Sequence, residues 1–260
     1  MPRIFLPITN PIENQVSITG EKARYLTTVL RCKKGDELIV FDGKGKCLRT
    51  NVLRTDRREV TVEVLETFPC DTESPVNIIL VQGLLKGQKM DMVIQKATEL
   101  GVREIQPVIT ERSQARETRK VIRWGKISEE ASKQSGRGIV PIISESVKLN
   151  DFFEELDKPQ RHADAKIRGQ KKIEGFIFWE EGGMPLKEAI LKISPSPILR
   201  FRVSPIHLLI GPEGGFTREE IALAENKGFI VTSLGKRILR AETAAITAVT
   251  LIQFSLGDLG

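Results

Sequence analysis

From residue 76 onward the chain alternates apolar runs with amphipathic stretches, and this alternation limits the fold more than any other feature. VNIILVQGLL is a continuous apolar run, as expected of a strand covered on both faces. KMDMVIQKATELG follows; Met90, Val93, Ile94, Ala97 and Leu100 recur at helical spacing, and Gly101 supplies the stop. VREIQPVIT, IVPII, FIFWE, HLLIG and FIVTSLG read as further strands, with helices between them, among them the basic TRKVIRWGKISEEASKQ. Such alternation predicts an α/β domain with a largely parallel sheet.

Residues 1–70 have a different rhythm. RIFLP, QVSIT, DELIVFDG, CLRTNVL and EVTVEVLE are short runs rich in Val, Ile and Thr, separated by turn signals such as Asp42-Gly43. One helix is expected around Glu21–Leu30, so this part reads as a small β-barrel with one helix. The polar stretch Asp71–Pro75 is the linker, dividing the chain into domains 1–72 and 73–260. Residues 157–175 are basic and aperiodic and read as an exposed loop.

Composition narrows the function classes. No apolar run approaches the roughly 20 residues of a membrane span, and MPRIFLPITNP lacks the form of a secretory signal. A soluble, cytoplasmic protein is expected. Cys32, Cys47 and Cys70 share no CxxC spacing and cannot all pair, so buried free thiols in a reducing compartment are expected. With only His162 and His207, no metal site is expected. The net charge is +6, and its distribution is uneven. Residues 112–137 hold eight Lys/Arg against three Glu, and 158–172 hold six against one Asp. Two dense basic segments suit a polyanionic partner such as a nucleic acid.

HLLIGPEGGFTREEI, 207–221, places three glycines and a proline between a strand and a helix. Ligands of α/β sheets bind at the carboxyl ends of strands. Glycines there let a ligand approach the backbone closely. The helix is pinned by a capping box, Thr217 with Glu220, and by Phe216 and Ile221 as a hydrophobic staple. The loop is neither a nucleotide phosphate loop nor a dinucleotide fingerprint. A second glycine turn, Leu234-Gly235, again follows a strand and again leads into a helix, this one without a polar face and so expected to be buried.

IGPEGGFTREEI and SLGKRILRAETAAITA together resemble the two carboxy-terminal motifs of the SPOUT methyltransferases. QKATELGV at 95–102, TERS at 110–113 and SEEASKQSGR at 128–137, with the small amino-terminal barrel, are similar to the RsmE family within it. The resemblance covers essentially the whole chain. It implies a deep trefoil knot in the α/β domain, a PUA-like RNA-binding barrel and a homodimer. It also implies S-adenosylmethionine as cofactor and N3 of a uridine in small-subunit (16S) ribosomal RNA, near the decoding site, as target. The substrate is naked RNA or the assembled 30S subunit.

By motif match, the cofactor contacts fall on Leu209, Ile210, Gly211, Pro212, Glu213 and Gly214, and on Leu234, Gly235, Ile238, Leu239, Arg240, Ala241, Glu242 and Thr243. Uridine N3 carries a proton, so the chemistry asks for a carboxylate base and nearby cations. Glu213 and Glu99 are the candidate bases; Arg112, Arg137 and Arg240 are candidate anion stabilisers or phosphate contacts, and Gln134 is placed to hydrogen-bond a flipped base. In the barrel, Arg3, Arg24, Arg31 and Lys34 are the expected RNA contacts. The rival readings are ribose 2′-O methylation on the same fold and a catalytically silent RNA-binding or assembly protein.

Overall fold

The structure is a computed structural model and describes residues 1–7, 14–114, 120–157, 174–193 and 205–260. Most of the basic stretch 157–175, with Arg116 and Arg119, lies outside the described residues. The chain forms two compact units, Met1–Glu73 with Glu129–Val140, and Ser74–Ser128 with Pro141–Gly260.

The first unit holds strands β1 (Arg3–Phe5), β2 (Gln15–Thr19), β3 (Glu37–Phe41), β4 (Lys46–Thr55) and β5 (Glu59–Pro69) in the order β1-β3-β4-β5-β2. β1 runs parallel to β3, and the other pairings are antiparallel. Register shifts along β4–β5 mark bulges, which bend a sheet and increase its twist. Ile18, Leu38, Val40, Leu48, Val52, Val60 and Val62 alternate inward and join Ala23 and Leu26 in one core. The expected helix near residues 21–30 is present but changes character: α1 (Gly20–Arg24) continues as a π-turn over Tyr25–Val29. There Thr27 donates its hydroxyl back to the Ala23 carbonyl, a bond that competes with regular helix geometry.

The cysteine expectation is corrected here. Cys47 and Cys70 form a disulfide, with Cα atoms 5.7 Å apart, and only Cys32 is free. Cys47 pairs in register with Phe68, so Cys70 lies diagonally across the β4–β5 ladder on the same face. That register is a long-range property, which cysteine spacing could not reveal.

The second unit is built on an eight-stranded sheet. Its strands are β6 (Ile78–Gly83), β7 (Glu104–Ile109), β8 (Ile142–Ile143), β9 (Val147–Lys148), β10 (Glu174–Phe178), β11 (Met184–Pro185), β12 (Ile206–Ile210) and β13 (Ile230–Ser233). The order is β11-β13-β10-β12-β6-β7-β8, with β9 also on β7, and every pairing is parallel. The helices are α2 (Lys89–Glu99), α3 (Val121–Ser135, which ends in the first unit), α4 (Leu149–Asp157), α5 (Leu186–Ile193), α6 (Arg218–Asn226) and α7 (Ala241–Leu256). Both faces of the sheet are covered. Ile78, Leu80, Ile206, Leu208 and Ile210 face a core shared with α2 and α7, whereas Val81, Val108, Ile177 and Leu209 face one shared with α4 and α6. That explains why the strands read as unbroken apolar runs. Gln253 anchors the buried end of α7, accepting from Ser74 Oγ at 2.7 Å and donating to the Leu100 carbonyl at 2.7 Å.

Candidate functional site

The glycine loop follows β12 directly. Gly215 N–H donates to the Pro212 carbonyl at 3.0 Å, closing a tight turn. Gly215 has φ +68°, and a Cβ there would overlap the Glu180 carboxylate. A Cβ on Gly214 would stand 2.9 Å from Arg112 Cβ. The turn is held by the helix after it. Thr217 Oγ1 accepts the Glu220 N–H at 3.2 Å, and the Glu220 carboxylate accepts the Thr217 N–H at 2.9 Å, the capping box read from the sequence. The other Glu220 oxygen accepts the Glu111 N–H at 2.8 Å, tying the loop after β7 to the same helix. Phe216 and Ile221 are buried in one cluster.

The second loop follows β13. Ser233 Oγ accepts the Gly235 N–H at 3.2 Å, and Gly235 has φ +106°, with nothing within 4 Å of where a Cβ would sit. The turn therefore needs glycine for its backbone angle and faces open space. Arg240 is the N-cap of α7. A third strand end contributes Trp179 and Glu180, just after β10.

These three ends enclose a cavity of about 390 Å³. Its wall carries Lys89, Arg237 and Arg240 beside Glu180, Glu213 and Glu242. Two wall residues hold buried polar atoms with no hydrogen-bond partner among the described residues: the Trp179 indole Nε1, a donor, and Glu242 Oε2, an acceptor. Glu213 Oε1 is engaged by Lys89 Nζ at 2.9 Å and by the Lys86 N–H at 3.2 Å. Burial alone would raise the Glu213 carboxyl. Hydrogen bonds from Lys89 and from backbone N–H groups, with the Lys89 charge, outweigh burial and hold it below the ordinary carboxylate value.

Of the residues expected at the cofactor, Ile210, Gly211, Pro212, Glu213, Leu234, Gly235, Ile238, Leu239, Arg240, Ala241 and Glu242 line this cavity. Leu209 instead faces the α4–α6 core, Gly214 packs on Arg112, and Thr243 is exposed on α7. Lys89, Trp179, Glu180 and Arg237 also line the wall, outside the expected cofactor contacts; the sequence signal for Trp179 and Glu180 is their place just past a strand's carboxyl end.

The candidate catalytic residues separate. Arg112 is exposed, and its Nη1 donates to the Gly214 carbonyl at 3.0 Å. Glu99 ends α2, on the order of 15 Å along the helix axis from Lys89, and pairs with Lys96 at 2.9 Å; the structure does not bring it to the cavity.

In the first unit, Arg24, Arg31 and Lys34 are exposed. Arg3 is half-buried, donates to the Arg137 carbonyl at 3.0 Å and lies over the Phe41 ring. Gln134 is exposed and donates to Glu130 at 3.1 Å. Arg137 needs correction as a phosphate contact. It is 2% exposed and forked onto Glu73, at 2.7 Å from Nη2 and 3.2 Å from Nε. Glu73 also accepts the N–H groups of Gly138 and Ile139, so the pair is a buried structural tie. Among the described residues, no group of three or more His, Cys, Asp or Glu could hold a metal ion, and no helix is long and apolar enough to cross a membrane.

Residues 72–253 match the RNA methyltransferase domain family, and residues 18–65 match the RNA methyltransferase PUA domain. A ribosomal RNA small subunit methyltransferase E from Synechocystis is 36% identical over 242 residues, covering 93% of this chain and 73% of the relative. One from Buchnera aphidicola of Schizaphis graminum is 30% identical, covering 100% of this chain and 98% of the relative. The Neisseria gonorrhoeae ribosomal RNA small subunit methyltransferase E, crystallised with S-adenosyl methionine, superposes with a TM-score of 0.84 at 33% identity and full coverage of both chains. A Legionella pneumophila methyltransferase with bound cofactor superposes with a TM-score of 0.81 at 33% identity, covering 99% of this chain and 98% of that one. This chain belongs to the ribosomal RNA small subunit methyltransferase E family.

Proposed function

We propose that this protein methylates small-subunit (16S) ribosomal RNA, with S-adenosylmethionine as donor, at N3 of a uridine near the decoding site. The observation that carries the reading is the cavity between two glycine loops, at the ends of the parallel strands β12 and β13 that flank β10, in a chain of this family. The cavity fits the donor chemically. Unpartnered Trp179 Nε1 and Glu242 Oε2 offer one donor and one acceptor, and cations and carboxylates share the wall, as a ligand with both an amino and a carboxylate group requires. When bound, the cofactor supplies a methyl group activated on a sulfonium.

The chain's own residues then have separable tasks. Glycine-loop backbone holds the ligand, and the capping box keeps that backbone rigid. Arg240 on the wall and Arg112 beside Gly214 stabilise the uracil anion left when N3 loses its proton. The low carboxyl of Glu213 makes it a poor proton acceptor and a good anchor for Lys89. Glu180 and Glu242 stand on the same wall and are the carboxylates placed to take the proton.

Residues 1–72 serve as the PUA-like RNA-binding domain, through Arg24, Arg31 and Lys34, and 73–260 as the methyltransferase domain. A trefoil knot is supported by the strand order: the chain leaves β13, outside β10, and returns so that α7 packs on β6 and β12 at the middle of the sheet. A homodimer is supported by the apolar surface of α7, where Phe254 is 68% and Leu251 38% exposed, and of α2 beside it, where Met92 is 49% exposed. A cytoplasmic location is supported by the proposed ribosomal RNA target.

The test is methylation of 30S subunits, and of naked 16S RNA, lacking the modification, followed by nuclease digestion and mass analysis. 3-Methyluridine at one position is the expected product. A 2′-O-methylated nucleoside would overturn the target atom. No transfer despite cofactor binding would overturn the catalytic reading.

A further inference from the structure

Gln82 is a fully buried polar side chain in the middle of the sheet, at the carboxyl end of β6. It pairs in register with Ile210 of β12 on one side and with Pro107 of β7 on the other. Its Nε2 stands 3.0 Å from the Gly83 carbonyl, 3.3 Å from that of Gly211 and 3.5 Å from that of Ile210. Its Oε1 is buried and has no hydrogen-bond partner among the described residues. An amide nitrogen has two hydrogens to donate, so three carbonyls of two chain segments share them.

We infer that Gln82 is a positioning residue for the glycine loop, setting how tightly the loop holds the methyl donor; the inference rests on the function proposed above. Peptide geometry supplies the mechanism. The C=O and N–H of a trans peptide point opposite ways. Holding the Ile210 carbonyl therefore fixes the direction of the Gly211 N–H, and holding the Gly211 carbonyl fixes the peptide that leads into Pro212. Both planes flanking Gly211, a cavity-wall residue, hang on one amide. The loop also lies on Gly83, where a Cβ would stand 2.5 Å from Pro212 N and 2.9 Å from the Gly211 carbonyl carbon. Gly83 admits the loop, and Gln82 orients it. An apolar residue in place of Gln82 would fill the same space and leave Gly211 free to rotate.

Two variants test this. Gln82→Met keeps the volume and removes the donor, along with an already unpartnered acceptor. It should melt within about 5 °C of wild type. By calorimetric titration it should bind S-adenosylmethionine about tenfold more weakly, while 16S RNA affinity and the rate at saturating donor stay within about threefold. Gln82→Glu can donate only when protonated, and its buried carboxyl faces carbonyls, which raises its pKa. Its donor affinity should therefore be poor at pH 8.5 and recover towards wild type at pH 6, a response that a merely space-filling role would not give. A folded Gln82→Met with wild-type donor affinity would overturn the inference. If that variant failed to fold, a pH-independent donor affinity in Gln82→Glu would overturn it equally. Wild-type protein that binds no donor would sink the proposed function instead, and this inference with it.

Discussion

The Cys47–Cys70 disulfide allows a quantitative test of the first unit. The two residues are 23 apart in sequence, so the bond closes a loop of about 24 residues in the unfolded chain. In the chain-entropy picture this loop is worth about 3.5 kcal/mol at 25 °C. Cys47 lies on β4 and Cys70 directly follows β5, so the ladder already brings the two together in the folded chain. Cys47→Ala/Cys70→Ala should therefore destabilise the unit comprising Met1–Glu73 and Glu129–Val140 by about 3 kcal/mol. For a domain of this size that is a fall in melting temperature of roughly 12–24 °C. The assay is calorimetric melting of wild type and variant with and without a dithiol reductant. Reduction should move the wild type onto the variant's curve and leave the variant unmoved. Thiol labelling gives an independent count. Two thiols should become reactive on reduction, while Cys32, buried and with its thiol pushed up first by burial and then by the Asp36 charge, stays slow. A double variant melting within about 3 °C of oxidised wild type, or three free thiols in the unreduced protein, would refute the reasoning.

Arg137→Met would leave the Glu73 carboxylate, 11% exposed, without its cation, and should cost about 3–5 kcal/mol in urea unfolding. Arg24→Ala, Arg31→Ala and Lys34→Ala should each stay within about 0.5 kcal/mol of wild type but weaken RNA binding, with a shallower dependence on salt. Gly235→Ala meets no steric neighbour, so its cost is backbone strain of about 1–3 kcal/mol, read as a loss of stability in urea unfolding. The Glu213 carboxyl is lowered in the fold, so its contribution is present above its unfolded value near 4.3 and is lost as pH falls through the lower folded value. The melting difference between wild type and Glu213→Gln should thus be small and flat from pH 6 to 8, worth at most about 1 kcal/mol, and should shrink below about pH 4. Thr217→Val should cost about 1 kcal/mol in thermal unfolding through loss of the N-cap.

Features set by residues close in sequence were legible before the fold. The Thr217–Glu220 cap spans three residues, and the β12 and β13 glycine turns announce themselves by composition. The parallel sheet was legible because strands covered on both faces carry unbroken apolar runs. What stayed hidden depended on residues far apart in sequence. Arg137 looked like one more cation in a basic stretch, because nothing local reveals Glu73, 64 residues away. Glu213 reads as a candidate base, and nothing local reveals that Lys89, 124 residues away, is bonded to it. Glu99 sat in a persuasive motif, but helix length carries it away from Lys89 and the cavity edge. Gln82, inside an apolar run, offered no signal beyond being a lone amide where hydrophobic residues were expected.

Glu220 does not line the cavity, yet it holds two chain segments at once, accepting from Thr217 with one oxygen and from Glu111 with the other. Arg112 follows Glu111 immediately and reaches the Gly214 carbonyl. The guanidinium therefore takes its position from a neighbouring helix's first turn, much as a bracket inherits its alignment from the beam it is bolted to. Damage at position 220 should therefore include the loss seen on damage at position 112, beside any loosening of the glycine loop that the capping box holds. Screens that score only ligand-touching residues would overlook the joint on which that arginine depends.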